Sequence, residues 1–175
     1  MTRGSESVPS AWIAAHASLV PARGRVLDLA AGGGRHALLF NGLGYQVTAL
    51  DRDVSGLRPL AAKGVEILAA DLEDGSPWPL GSRRFDGIVV ANYLHRPLLP
   101  HLAAALAPGG VLIYETFGRG NQRFGRPSNP DFLLRPGELL EFAATHRLQV
   151  LAYECGEVQE PKPAIIQHIA AQRFT

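Results

Sequence analysis

Cysteine is nearly missing from this chain: Cys155 is the single one among 175 residues. One thiol excludes an internal disulfide, no Cys/His cluster with metal-ligand spacing surrounds it, and no bound metal is expected. We read Cys155 as a thiol of the core. Long apolar runs are missing too. None approaches the roughly 20 residues that cross a bilayer, so no membrane association is expected. Charge of one sign is scarce, since 17 Lys and Arg face 16 Asp and Glu for a formal balance of +1. Nucleic-acid binders usually carry a large basic excess or a basic stripe, so a small-molecule partner is favoured over a polyanion. Met1–Pro9 has no basic segment leading into a long apolar one, so no secretory leader is read and a cytosolic protein is expected. No repeat, low-complexity tract or dividing linker interrupts the chain, which is read as one domain over residues 1–175. With 46% apolar and 19% charged residues, it has the composition of a globular protein. A chain of this length buries roughly 70% of the surface its unfolded form exposes.

Short apolar, β-branched runs alternate with Ala- and Leu-rich stretches over residues 25–116. Strands are predicted at Arg25–Leu29, Gln46–Leu50, Val65–Ala69, Gly87–Ala91 and Val111–Thr116, and their continuous apolar character predicts burial on both faces. Helices are predicted at Gly34–Leu43, Val54–Ala62 and Leu98–Leu106, each ending near Gly or Pro. Such alternation calls for βαβ units and a parallel sheet with right-handed crossovers. Residues 118–137, rich in Gly, Arg, Asn and Pro, read as a long functional loop. Pro136–Gly137 then opens a helix through about Thr145. Strands near Leu148–Glu154 and Ala164–Ala171 follow with only Gly156–Pro163 between them, a connection so short that it demands an antiparallel pair.

The chemistry concentrates at the ends of these strands. Val26-Leu27-Asp28-Leu29-Ala30-Ala31-Gly32-Gly33-Gly34-Arg35-His36 leads from a buried strand, past an acid, through a tight glycine turn into a helix. Small residues let backbone approach a ligand, and the helix N-terminus presents free N–H groups. Asp28 has no structural duty that the sequence reveals. Asp51 ends the second strand, followed by Arg52, at the carboxyl edge where parallel sheets bind ligands; a carboxylate there can accept both hydroxyls of a ribose. The third strand ends in Ala69-Ala70-Asp71-Leu72. The fourth runs Phe85-Asp86-Gly87-Ile88-Val89-Val90-Ala91-Asn92-Tyr93-Leu94-His95-Arg96-Pro97, and Leu106-Ala107-Pro108-Gly109-Gly110 turns into the fifth.

These motifs, in this order and with the C-terminal hairpin, resemble the class I S-adenosylmethionine (SAM)-dependent methyltransferase family from about Arg25 to Phe174. The resemblance implies an α/β fold: a three-layer, Rossmann-like, seven-stranded sheet, mostly parallel, with residues 1–20 as an N-terminal helical extension and Trp12 over the cofactor cleft. It implies SAM as cofactor. Asp28 would hold the methionine amino group, Ala30, Ala31, Gly32 and Gly34 would form the turn, and Asp51 with Arg52 would serve the ribose. Asp71 and Leu72 would meet the adenine, and Asn92 and Tyr93 would line the site beside the methyl group. Ala30 departs from the family's three alternating glycines, while Gly32 and Gly34 match. The run Leu27–His36 followed by Gly44-Tyr45-Gln46-Val47 is most similar to the tellurite-resistance-type branch. A dinucleotide fingerprint needs a different glycine spacing so that pyrophosphate sits on the helix N-terminus. Asp28 would also set negative charge beside phosphates, whereas it suits a donor bearing a sulfonium and an ammonium.

Methyl transfer from sulfonium is an in-line displacement, in which orientation is worth roughly 7–11 kcal/mol. His95, beside Tyr93, is the expected base, its ordinary pKa of about 6.5 lying near working pH; capping or packing the next helix is its structural alternative. His36, His101, His146 and His168 are read as surface residues. Arg119, Arg123 and Arg126 on the loop after the fifth strand suit a carboxylate, phosphate or other oxyanion of the acceptor. Asn92-Tyr93-Leu94-His95 lacks the Asn/Asp-Pro-Pro-aromatic signature of base-amino methylation. The expected function is methyl transfer to a small acceptor; a non-catalytic SAM-binding module and a NAD-linked Rossmann oxidoreductase are the alternatives.

Overall fold

The computed structural model describes residues 8–175. The start of the expected N-terminal extension and most of the stretch read for a leader, residues 1–7, lie outside the described residues. Seven strands form one sheet: β1 (Arg25–Leu29), β2 (Gln46–Asp51), β3 (Glu66–Ala69), β4 (Phe85–Ala91), β5 (Leu106–Phe117), β6 (Leu148–Val158) and β7 (Ala164–Arg173), in the spatial order 3-2-1-4-5-7-6. β1 to β5 pair in parallel, while β7 is antiparallel to both β5 and β6. The predicted α/β sheet and its terminal antiparallel pair are therefore present.

Side chains alternate across the pleat, so each face of the sheet takes half of every strand. Val26, Val47, Ala49, Val89 and Ile113 point to α1 (Ala11–His16), α2 (Arg35–Gly42) and α3 (Arg58–Ala61), where Ile13, Phe40, Leu57 and Leu60 meet them. Leu27, Leu29, Leu50, Ile88, Val90 and Leu112 point the other way, onto Leu102 of α4 (Leu99–Ala105) and Leu139 and Phe142 of α5 (Glu138–Thr145). The result is three layers with a hydrophobic core on each side of the sheet.

Several elements depart from expectation for local reasons. α3 is one turn rather than Val54–Ala62, because Gly56 and Pro59 stand where the helix would have to propagate. β3 sits at the sheet edge, and Glu66 and Ala69 are exposed rather than buried on both faces. Residues 70–84 recross to β4 without a helix, and Trp78 there stacks on His101 with ring centres 5.3 Å apart. Cys155 is exposed rather than in the core, since β6 is the other edge strand. His36 and His168 are buried, 3% and 9% exposed, not surface residues. His36 faces the sheet at the start of α2, and α1 covers both. Trp12 does not reach the cleft at the strand ends: its ring packs between those of His16 and His168, 4.0 and 4.8 Å away.

Candidate functional site

Strand order reverses between β1 and β4, and such a switch point leaves a crevice at the carboxyl ends of the strands. A cavity of about 460 Å³ occupies that place, within the roughly 300–1,000 Å³ of small-molecule sites. Its wall draws on Ala30 after β1, Asp51 and Arg52 at β2, the run Ala70–Glu73 after β3, Asn92 and Tyr93 after β4, and Phe132 from the long loop. Six of the residues expected to bind cofactor, Ala30, Asp51, Arg52, Asp71, Leu72 and Asn92, meet in this wall together with Tyr93. Asp28, Ala31, Gly32 and Gly34 do not line it: Asp28, Ala31 and Gly34 are buried, and Gly32 is exposed on the turn.

The glycine turn is shaped by packing and by the neighbouring acid. Gly34 has φ +79°, and a Cβ there would lie 2.5 Å from Leu60 Cδ1, so glycine lets α2 begin against α3. Ala30, in place of the first glycine, adopts φ 54°, a conformation that costs an L residue roughly 1–2 kcal/mol. The Asp51 carboxylate braces the turn, its Oδ2 accepting from Gly32 N at 2.8 Å and its Oδ1 from Asp53 N at 3.0 Å. Asp71 similarly accepts from Glu73 N at 2.9 Å.

Asp28 has the structural duty its sequence context did not reveal. Its Oδ2 accepts from Ala37 N at 2.8 Å, closing an N–H of the first turn of α2 that Gly34 at the cap has no side chain to satisfy. The carboxyl is 2% exposed. Desolvation pushes its pKa from 3.8 up to about 7 against the opposing Ala37 bond and Arg35 charge. The same face carries a polar row: His36 Nε2 accepts from Ser10 N at 3.1 Å, and His168 Nε2 pairs with Glu115 at 3.3 Å. Burial and Arg35 push His36 down to about 4.

At the end of β4, Asn92 has φ 56° and donates its backbone N–H to Glu115 O at 3.0 Å. Tyr114 OH donates to Tyr93 O at 2.7 Å, and Tyr93 OH donates to Glu73 at 3.0 Å. Burial, that bond and the charges of Glu73 and Asp71 push the Tyr93 phenol well above the usual tyrosine range. His95 is half-buried and starts a short turn at Arg96–Leu98 without a side-chain cap bond. It lines neither this cavity nor the one beside it.

That second cavity, of about 250 Å³, shares Glu73, Asn92, Tyr93 and Phe132 with the first and adds Leu94, Thr116, Phe117 and Pro127. The long loop therefore reaches the site through its apolar residues. None of the three arginines expected to hold the acceptor lines either cavity. Arg123 pairs with Glu157 at 2.7 Å and lies over Phe124, and Arg119 and Arg126 are exposed. The arginine that organises this region is Arg96. It bonds both oxygens of Glu138, which is 8% exposed at the side chain, and the carbonyls of Asp131 and Leu133 at 2.7 and 3.0 Å. Buried Asn121 adds bonds to Pro127 O and Ile165 N. A sequence signal for Arg96 existed in its place just past β4, but its partners lie 35 to 42 residues away and carry no local pattern.

The residues present fit SAM. Among the described residues Asp51, Asp71 and Glu73 give the larger cavity three carboxylates against the single cation Arg52, and an acidic wall complements a cationic donor while opposing a pyrophosphate. Gly32 and Gly33 are exposed, with nothing within 4 Å of a built Cβ, so backbone can be approached closely there.

Comparison with known proteins bears on the same elements. The family model of the tellurite resistance protein TehB matches residues 7–71, which span the glycine turn, Asp51 and Asp71. A protein-L-isoaspartate O-methyltransferase of Chlorobaculum tepidum is 33% identical over 129 residues, 70% of this chain and 56% of that protein; the chain thus spans just over half the length of the curated relative it matches. Among solved structures, TehB of Haemophilus influenzae superposes with a TM-score of 0.69 at 19% identity, over 91% of this chain and 61% of that one. A Burkholderia thailandensis 1,6-didemethyltoxoflavin-N1-methyltransferase, with its namesake compound and S-adenosylhomocysteine bound, superposes with a TM-score of 0.68 at 23% identity, over 91% and 75%. The chain thus has the fold of class I SAM-dependent methyltransferases, and its residues 7–71 match the family model of the tellurite resistance protein TehB.

Proposed function

We propose that this chain, acting as one domain, transfers a methyl group from SAM to a small-molecule acceptor. One observation supports the reading above others: Asp51 and Asp71 close a cavity at the topological switch point whose other charged wall residues are Glu73 and the cation Arg52. In this reading Asp51 takes the ribose, Asp71 and Leu72 the adenine edge, and the turn Ala30–Gly34 the methionine portion. Asp28 acts from behind the turn by fixing the start of α2. The cofactor, when bound, supplies a methyl carbon activated by attachment to positive sulfur.

The chain's own task is to orient and to exclude water. Asn92 and Tyr93 stand where the two cavities join, so the acceptor enters the smaller cavity and meets the methyl group there. Tyr93 is a hydrogen-bond donor in this scheme and not a base, because its phenol stays protonated across the working range. His95 stands outside both walls and receives no base role.

Melting the protein with and without ligand tests this reading. A ligand at 100 times its Kd adds roughly 2.7 kcal/mol, so S-adenosylhomocysteine is expected to raise Tm while NAD does not. Protection by NAD alone contradicts the proposal. Protection by S-adenosylhomocysteine, with no labelled methyl passed to any acceptor, replaces it with a non-catalytic SAM-binding module.

A further inference from the structure

The smaller cavity points to the chemistry of the acceptor. Among the described residues Glu73 is the one carboxylate in its wall and no Arg, Lys or His lines it, while Phe117, Phe132, Tyr93 and Leu94 provide the apolar surface. Next door, Asp51 and Asp71 add negative charge against Arg52. Opposite charges attract and like charges repel in inverse proportion to distance and dielectric, so an oxyanion entering this chamber meets net repulsion, the three carboxylates outnumbering Arg52. A flat ring, by contrast, finds aromatic partners, and aromatic faces also accept a cation. Asn92 and Thr116 supply polar atoms at the rim.

Reactivity narrows the class further. A hydroxyl or thiol acceptor must lose its proton before or during attack, and among the described residues the wall offers only the Glu73 carboxylate, already accepting from the Tyr93 hydroxyl and better matched to the acidic proton of a methylated nitrogen than to that of a neutral hydroxyl. The neutral nitrogen of an arylamine or a nitrogen heterocycle already carries a free electron pair. Such a nitrogen bonds to the methyl carbon as that carbon's bond to sulfur breaks, with the bonding pair left on sulfur. The product nitrogen then loses its N–H proton to Glu73 or, past the exposed rim, to water; a ring nitrogen without a proton leaves as the cation.

The geometry points to a planar nitrogen acceptor, uncharged or cationic, held between Phe117 and Phe132 with its N–H side toward Glu73. This inference rests on the methyl-transfer reading above and goes beyond it by excluding the oxyanion that the loop arginines led us to expect.

The test is a paired acceptor panel with SAM, in which aminopyridines, aminoquinolines and aminopyrimidines are set against selenite, tellurite, benzoate and catechol. S-Adenosylhomocysteine formation is the readout, and calorimetry with S-adenosylhomocysteine runs alongside. The expected result is at least tenfold faster turnover of one or more nitrogen acceptors than of any anion or catechol. Phe117→Ala is expected to raise KM for that acceptor at least tenfold while leaving the Kd of S-adenosylhomocysteine unchanged; Phe132→Leu, at an exposed position, gives a second variant that folds whatever Phe117→Ala does. Faster turnover of an anion or catechol, an unmoved KM in Phe117→Ala and Phe132→Leu, or tight S-adenosylhomocysteine binding with no nitrogen acceptor turned over each overturns the inference. Failure of S-adenosylhomocysteine to bind at all instead removes the methyl-transfer reading itself.

Discussion

Asp28 illustrates how one side chain carries both a legible and a hidden role. Its place before the glycine turn was readable from the sequence, but its bond to Ala37 N was not, because that contact exists only once α2 folds back over β1. Burial raises its folded pKa from 3.8 to about 7. Its stabilising contribution is then complete below pH 3.8 and is lost as pH climbs through about 7, since the native state holds a proton that the unfolded chain has released. Urea unfolding of the free chain at pH 5 and pH 8 is expected to show a loss on the order of 3 kcal/mol that Asp28→Asn removes. Asp28→Ala, which leaves the Ala37 N–H unpaired, is expected to cost roughly 1–3 kcal/mol at both pH values. Equal pH dependence in wild type and Asp28→Asn contradicts this account of the carboxyl. Tyr93 gives a second test. If the phenol only donates, Tyr93→Phe keeps methyl transfer within about tenfold of wild type, in line with one lost neutral hydrogen bond of about 1 kcal/mol, and leaves the pH–rate profile unchanged. Asp51, Asp71, Asn92 and Tyr93, all in the cavity wall, were singled out from sequence because each lies at the end of a strand or within two residues of it; Glu73, Phe117 and Phe132 were not, since aromatic and acidic loop residues have many other uses.

Strands were the most legible elements, and their limits the least. β1 was placed to the residue, whereas β5 began earlier than expected because Leu106 pairs with Phe85 before a register shift brings Gly87 opposite Val111. The long loop was recognised by composition, but its orientation was read from its arginines, and the structure turns its apolar side inward instead. Arg96 accounts for that orientation. It ties the carbonyls of Asp131 and Leu133 and the carboxylate of Glu138 to the end of β4, and Phe132 lies between them. Removing the guanidinium leaves buried Glu138 only the Arg135 backbone N–H at 2.7 Å and the Arg135 side chain at 3.8 Å; a fully buried broken pair costs about 3–5 kcal/mol, and because these partners remain and the Arg96 side chain is 37% exposed a loss of about 1–3 kcal/mol is expected here. Arg96→Ala should therefore lower Tm, speed hydrogen exchange and proteolytic nicking in residues 118–137, and raise the acceptor KM more than the Kd of S-adenosylhomocysteine. Arg96→Lys restores one bond of the fork and should rescue only in part. Unchanged exchange in the loop of Arg96→Ala removes Arg96 from this role.

At the scale of the whole molecule, what the sequence carried was the alternation of strands and helices and the order of four motifs, because a parallel sheet forces ligand contacts to the carboxyl ends of successive strands. What it could not carry was the sidedness of that edge, namely which loop residues face inward and which polar groups, such as Glu115 and His168, pair across strands 53 residues apart in sequence. The central claim concerns the charge of the cavity that the folded edge creates: carboxylates from β2 and from the segment after β3 surround a nucleoside-sized space and favour a cationic donor. Titration calorimetry measures it directly, with SAM, S-adenosylhomocysteine and NAD injected into the wild-type chain and into Asp51→Ala. Heat of binding with SAM and with S-adenosylhomocysteine, weakened at least tenfold by the substitution, and none with NAD, is the outcome this structure predicts. No heat with either sulfur compound, or affinity untouched in Asp51→Ala, contradicts it.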